Sequence, residues 1–314
     1  MIDTVLLEKN LPADVVPYTG RQWLSHGEQL PAHMRKPVQI DDDLWISPLG
    51  DLRKPIMAAS EPPGENLPVH RMYRAPFAFC RTNPPHGASP ESWWDADRRI
   101  QIAVQLSRLI RPWTMAYRYA CRLSMNADGR VIQPAGIFGQ GAQAYTMNVE
   151  SDALKDEDIT PLRALIKAFD RPRLPNRVKN ALWMTEHLAW TRLMNIRWPL
   201  AVTALEALVH TDDRGRKRGR LLGSTDQFCL RLSKLQSMLR TPLWTEPDLL
   251  QIYDLRSSFA HGRGGNVDSL RGEPLRLYSA VEHGLRTILR VAILKPHVAE
   301  IFASDVSIRA TLGF

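Results

Sequence analysis

The stretch TEPDLLQIYDLRSSFAHG, residues 245–262, decides how the C-terminal half of the chain is read. Leu249, Leu250, Ile252, Tyr253, Leu255 and Phe259 recur at helical spacing. Thr245 is a residue type that caps a helix by accepting from the amides of its first turn. Pro247 falls in that first turn, where a missing N–H leaves no partner unserved. Gly262 supplies a stop. The helix so predicted carries Arg256 and His261 in its last turns, five residues apart. At about 100° per residue the two directions differ by about 140°. A long arginine side chain or an opened last turn is needed to bring both to one anion. On spacing alone, a surface arginine and a helix-end histidine is the simpler account.

Helical periodicity continues on both sides of this stretch. It predicts helices over 176–194, 197–210 and 224–240, a fifth from Pro274 to Lys295-Pro296, and a short last one over 297–303. Pro199 fits only near the start of its helix. Short connections make consecutive helices neighbours in an antiparallel bundle. Upstream, Arg171-Pro172-Arg173-Leu174-Pro175 reads as a connector. The expected division is 1–172, a mixed α+β region of unknown role, and 173–314, an all-α helical bundle. The fold class is thus α+β.

The first region is broken by prolines, which limits element length. Short strands are predicted at 4–8 and 70–80, a helix from Ser89-Pro90 to Arg111, and a hairpin of AYRYACRLSM and GRVIQPAGIF about NADG 126–129. AYTMNVE is a candidate third strand and FGQGAQ, 138–143, a turn. Together these give a small antiparallel sheet packed on a helix. Thr160-Pro161 is expected to open a short helix. Arg98, Arg99, Arg108 and Arg111 read as the solvated face of theirs.

The 314 residues are 44% hydrophobic and 24% charged, as in a soluble globular chain. Net charge of +8 favours an acidic partner without naming it. Cys80, Cys121 and Cys229 are too scattered for a metal cluster or a disulfide framework, and suit a reducing compartment. MIDTVLLEKN is acidic and lacks the apolar core of a signal peptide. No uncharged stretch reaches membrane-spanning length. A cytoplasmic protein with no membrane partner is expected.

YDLRSSFAHG, with LEALVH at 205–210 upstream, resembles the ApeA-like branch of the HEPN superfamily over roughly residues 175–296. The shared pattern is an arginine, a polar residue, a short run and a histidine: Arg256, Ser257, Ser258-Phe259-Ala260 and His261. Tyr253, Asp254, Leu255 and Gly262 also match. The resemblance implies a HEPN-like bundle whose active members pair two copies, so that the Arg and His of both line one endoribonuclease cleft. It implies a homodimer with Arg256, Ser257 and His261 as catalytic residues. Glu206 matches a recurrent acidic position and would brace the arginine. Toxin or anti-phage defence is the biology implied, with a protein regulator or antitoxin as a further partner.

The residue chemistry suits that implication. Imidazoles titrate near neutrality and exchange protons readily. A guanidinium keeps its charge and offers a fork of donors to phosphate. RNA brings its own nucleophile, the 2′-hydroxyl, which DNA lacks. Ser257 would orient phosphate or make a local helix-end bond, and Asp254 is either a surface acid or a partner for His261 across a dimer. Arg214, Arg216, Lys217, Arg218 and Arg220, in the apparent loop TDDRGRKRGR, and Arg263 form a candidate RNA-binding surface. A solubilising loop is the plainer alternative. His210 reads as a helix-end residue, and Tyr253 and Phe259 as core. No metal-ligand spacing is found and no cofactor is expected. Two further functions remain open: a non-catalytic RNA- or nucleotide-binding module, and an assembly or regulatory domain controlling another enzyme.

Overall fold

The computed structural model describes residues 2–9, 38–42, 44–48, 77–82, 90–112, 115–125, 131–139, 154–171, 174–191, 193–212, 216–217, 220–221, 223–261 and 272–313. The chain forms two compact units, Met1–Lys167 and Ala168–Phe314. The fold is α+β and mostly helical among the described residues.

The first unit holds strands β1 (Ile2–Lys9), β2 (Val38–Gln39), β3 (Leu44–Pro48) and β4 (Phe77–Thr82), helix α1 (Pro90–Ile110), and strands β5 (Met115–Met125) and β6 (Val131–Gly139). All pairings are antiparallel, in the order β2-β3-β4-β1-β5-β6. The sheet has six strands, larger than the small sheet expected, because β1 pairs on both sides with residues at least 70 positions away. Thr4 registers with Cys80 on one side and Cys121 on the other. Pro134 is tolerated because β6 is an edge strand, and the register shifts beside it. The turn expected at 138–143 starts too early, because Phe138 and Gly139 still pair within β6; its remainder, the turn at 126–129, residues 70–76 and the candidate strand 144–150 lie outside the described residues.

Helix α2 (Asp156–Phe169) starts a turn before Thr160, correcting the predicted opening. Asp156, Glu157 and Asp158 occupy its first turn, where acids complement the helix dipole. Pro161 is then inside the helix, one turn in. The arginines of α1 are not a solvated face either. Arg108 is buried, and Arg99 pairs with Asp41. Arg111 Nε donates to Asp158 at 2.6 Å and its Nη2 to Glu157 at 3.0 Å. Arg98 alone of the four is exposed. These partners are remote in sequence, so helical periodicity could not reveal them. Arg163 adds two bonds to the Gln39 carbonyl, at 2.8 and 2.6 Å, joining α2 to β2.

The second unit contains α3 (Asn176–Trp190), α4 (Met194–Val209), a ribbon of β7 (Arg216–Lys217) and β8 (Arg220–Leu221), α5 (Ser224–Met238), α6 (Glu246–Ala260), α7 (Glu273–Leu294), α8 (Pro296–Ala299), a 3-10 turn (Glu300–Phe302) and α9 (Asp305–Leu312). The segment read as a loop thus contains an antiparallel ribbon, Arg216 opposite Leu221 and Lys217 opposite Arg220. Helix α9 was not expected. Ser304 caps it by accepting from the Ser307 amide at 3.1 Å. Helix α4 begins three residues earlier than predicted, so Pro199 lies one turn inside it. The amide missing there would have served exposed Asn195.

Helix α4 is apolar on nearly every side, as a central helix must be. Trp198 is fully buried and ties three helices together. Its indole N–H donates to the Ile252 carbonyl of α6 at 3.2 Å. Its ring lies 5.8 Å from Phe259 of α6 and 5.5 Å from Tyr278 of α7. Beside it, buried Arg197 donates to Tyr278 Oη at 3.0 Å and Glu282 at 2.5 Å. That pairing leaves the buried charge compensated.

Candidate active site

Helix α6 is built by its own first residues. The Thr245 hydroxyl accepts from the Asp248 amide at 3.2 Å, and the Asp248 carboxylate accepts from the Thr245 amide at 2.9 Å. This is a reciprocal capping box, with Pro247 in the first turn as predicted. Arg276 of α7 donates to the same Asp248 at 2.6 Å, joining the starts of α6 and α7. Hydrogen bonds from Arg276 and then Thr245 hold the Asp248 carboxyl below its ordinary range.

At the other end, His261 is the C-cap. Its backbone N–H donates to the Ser257 carbonyl at 3.0 Å, and its side chain is exposed. The helix-end bond thus uses the serine's carbonyl rather than its hydroxyl. Ser257 is half-buried. Asp254 is exposed and does not pair with Arg256. Gly262 and Arg263 lie outside the described residues.

Arg256 pairs instead with Glu206 of α4, Nη2 to Oε2 at 3.1 Å. The other Glu206 oxygen accepts from the Tyr253 hydroxyl at 3.0 Å. The Tyr253 ring lies under the guanidinium, 5.6 Å from Arg256 Cζ. Tyr253 also packs on Phe228 of α5 at 5.2 Å. Burial, then the Glu206 charge, push the phenol's pKa up. It stays a donor throughout the neutral range.

Two helices, α4 and α6, therefore meet at one cation, and α5 packs on the tyrosine beneath it. Arg256 is about one-third exposed and Glu206 half that. Among the described residues the guanidinium makes one hydrogen bond, and its buried Nε makes none. A fixed arginine with donors to spare suits a phosphate. The expected contact of Glu206 with Arg256 is present; the use of the Tyr253 hydroxyl was missed. Its available signal was an aromatic three residues before an arginine on one helix. Phe259 is half-buried against Trp198 rather than fully enclosed.

His210 is the C-cap of α4, its amide bonding the Glu206 carbonyl at 2.7 Å. Arg177 closes that end by donating to the carbonyls of Ala207 and His210, at 2.9 and 2.8 Å. Buried Arg231 donates to the Val209 carbonyl at 2.7 Å and to that of Gly313 at 3.1 Å. The end of α4 that bears Glu206 is thus anchored to α3, α5 and the C-terminal segment. The basic ribbon runs between the end of α4 and the start of α5, the elements that hold Glu206 and Ser224. Arg216, Lys217 and Arg220 are in its strands; Arg214 and Arg218 lie outside the described residues.

Among the described residues no three His, Cys, Asp or Glu side chains come together as a metal-binding group, and no helix is long and apolar enough to cross a membrane. No family model matches the chain, and no curated protein or solved structure matches it either.

Proposed function

We propose that this chain is a metal-independent endoribonuclease of the HEPN type, acting as a cytoplasmic homodimer. The observation that supports it best is the held arginine: Arg256 is fixed by Glu206 and Tyr253 on the helix whose C-cap is the exposed His261. In the proposed reaction the RNA 2′-oxygen attacks the adjacent phosphorus and the P–O5′ bond breaks. The products are a 2′,3′-cyclic phosphate and a 5′-hydroxyl. The proton leaves the 2′-hydroxyl and one arrives at the departing 5′-oxygen, with His261 of each copy as the exchanging group. Arg256 stabilises the charge gathering on the phosphorane oxygens. Ser257 orients the phosphate, and the ribbon at 216–221 follows the neighbouring backbone. Pairing two copies relieves the mismatch of directions on a single helix. By resemblance, the setting is toxin or anti-phage defence, with a protein regulator.

The test is cleavage of a mixed RNA pool in chelator by the parent, Arg256→Ala and His261→Ala. Each variant is expected to lose about 100-fold or more in rate while staying folded. No cleavage by the parent, or undiminished cleavage by the variants, overturns the proposal. RNA retention without any parental cleavage would mark a binding module instead.

A further inference from the structure

Glu206 has two oxygens, and they serve different residues. Oε1 accepts from Tyr253 and Oε2 from Arg256. An unencumbered arginine–carboxylate pair favours a two-bond fork. Here the contact is a single bond, Nη2 to Oε2, while the phenol donates to Oε1. The buried Nε of Arg256, which a fork would engage, is left without a partner. The phenol's ring is itself held between Phe228 and the guanidinium.

We propose that Tyr253 is a positioning residue for the phosphate site: it keeps Glu206 in a one-bond hold that aims Arg256 without consuming the donors a phosphate needs. This rests on the RNA reading of the site. Removing the hydroxyl frees Oε1, and Glu206 then closes on Arg256 through two bonds. A phosphate must compete with that fork. The hydroxyl therefore favours the ligand although it touches neither the ligand nor the arginine's hydrogen-bonding edge.

Two measurements on the full chain decide it. Crystal structures of the parent and Tyr253→Phe read the pair directly. One Glu206 oxygen is expected within hydrogen-bond distance of Arg256 in the parent, and both in the variant. Fluorescence anisotropy with a 2′-O-methyl RNA 20-mer, which lacks the free nucleophile, reads affinity. Tyr253→Phe is expected to bind about 10-fold more weakly, the effect of competing with one more charge-assisted bond. Tyr253→Phe/Glu206→Gln is expected to recover parental affinity, since a neutral amide cannot hold the cation so firmly. Tyr253→Leu, which also lacks the hydroxyl, is the second variant should Tyr253→Phe fail to fold, with the same two-oxygen contact and weaker binding expected.

A tyrosine that serves packing alone would lower the unfolding midpoint but leave the single contact and the affinity unchanged; that result overturns the proposal. So does a loss of affinity that the second substitution fails to restore. If the parent does not bind the probe, the RNA reading falls, and the contact geometry in the two crystals still decides whether Tyr253 controls Glu206.

Discussion

Gly284→Ala is expected to destabilise the protein, although alanine is the better helix former. Gly284 lies inside α7, and a Cβ there would stand 2.0 Å from Cζ2 and 2.4 Å from Cη2 of Trp244. The indole is buried and presses directly on the helix backbone. It cannot slide along the chain. Gln236 of α5 donates to the Trp244 carbonyl at 2.7 Å and accepts from the amides of Leu243 and Trp244, each at 2.9 Å. Propensity alone would stabilise the variant by about 1 kcal/mol. Overpacking opposes this by ~1–3 kcal/mol, and swinging the indole out costs ~3–5 kcal/mol at full loss of burial. By the cheaper route the balance is a destabilisation of up to about 2 kcal/mol. Equilibrium urea unfolding followed by tryptophan fluorescence reads it as a lower midpoint at unchanged slope. Because Trp244 directly precedes the Thr245 cap, the start of α6 should loosen too, with faster amide exchange at Asp248 and Leu249. A midpoint that rises by the propensity gain would refute the packing of Trp244 on Gly284.

Further expectations follow from the same structure. Thr245→Ala removes half the capping box and should cost about 1 kcal/mol in urea unfolding, while Thr245→Ser should cost much less. Asp248 has its folded pKa lowered, by Arg276 first. Its stabilisation is therefore complete above about pH 4 and lost as pH falls through the folded value. The parent's urea midpoint should drop more steeply between pH 4 and 2 than that of Asp248→Asn; parallel curves would exclude the linkage. The thiol of Cys229 is pushed up to about 11, by burial first and then by Asp226, Glu246 and Asp254. At pH 8 its thiolate fraction is about 200-fold below that of an ordinary cysteine, so mass-mapped alkylation should find it protected until the protein unfolds.

What was legible in the residues was what depends on near neighbours. The start of α6 was readable because Thr245, Pro247 and Asp248 act within one turn. Periodicity located α1 and α7 almost to their ends. Helix α2 was misjudged because Pro161 looked like a start, when the acids before it already formed the first turn. Helix α9 is only eight residues long, and its cap is a single serine. The sheet was legible in pieces but not in pairing, since β1 finds its partners at least 70 residues away. The ribbon at 216–221 was hidden by its charge: Lys217 opposite Arg220 opposes like charges, which strand preferences disfavour.

At the site, Arg256 and His261 were visible as residue types at the end of a helix. Their chemistry was named through the HEPN resemblance, not through spacing. The contact of Glu206 with Arg256 spans fifty residues, so only that resemblance suggested it. Tyr253 was read as core because its ring follows the helical apolar pattern. Nothing in that pattern says where a phenol hydroxyl points.

The chemistry of the RNA ends tests the central claim most directly. RNA cut by the parent in chelator should carry 2′,3′-cyclic phosphates and 5′-hydroxyls, and both kinds of end should vanish together in Arg256→Ala and His261→Ala. Intact RNA, or fragments bearing 5′-phosphates, would contradict an internal 2′-hydroxyl attack assisted by the end of α6.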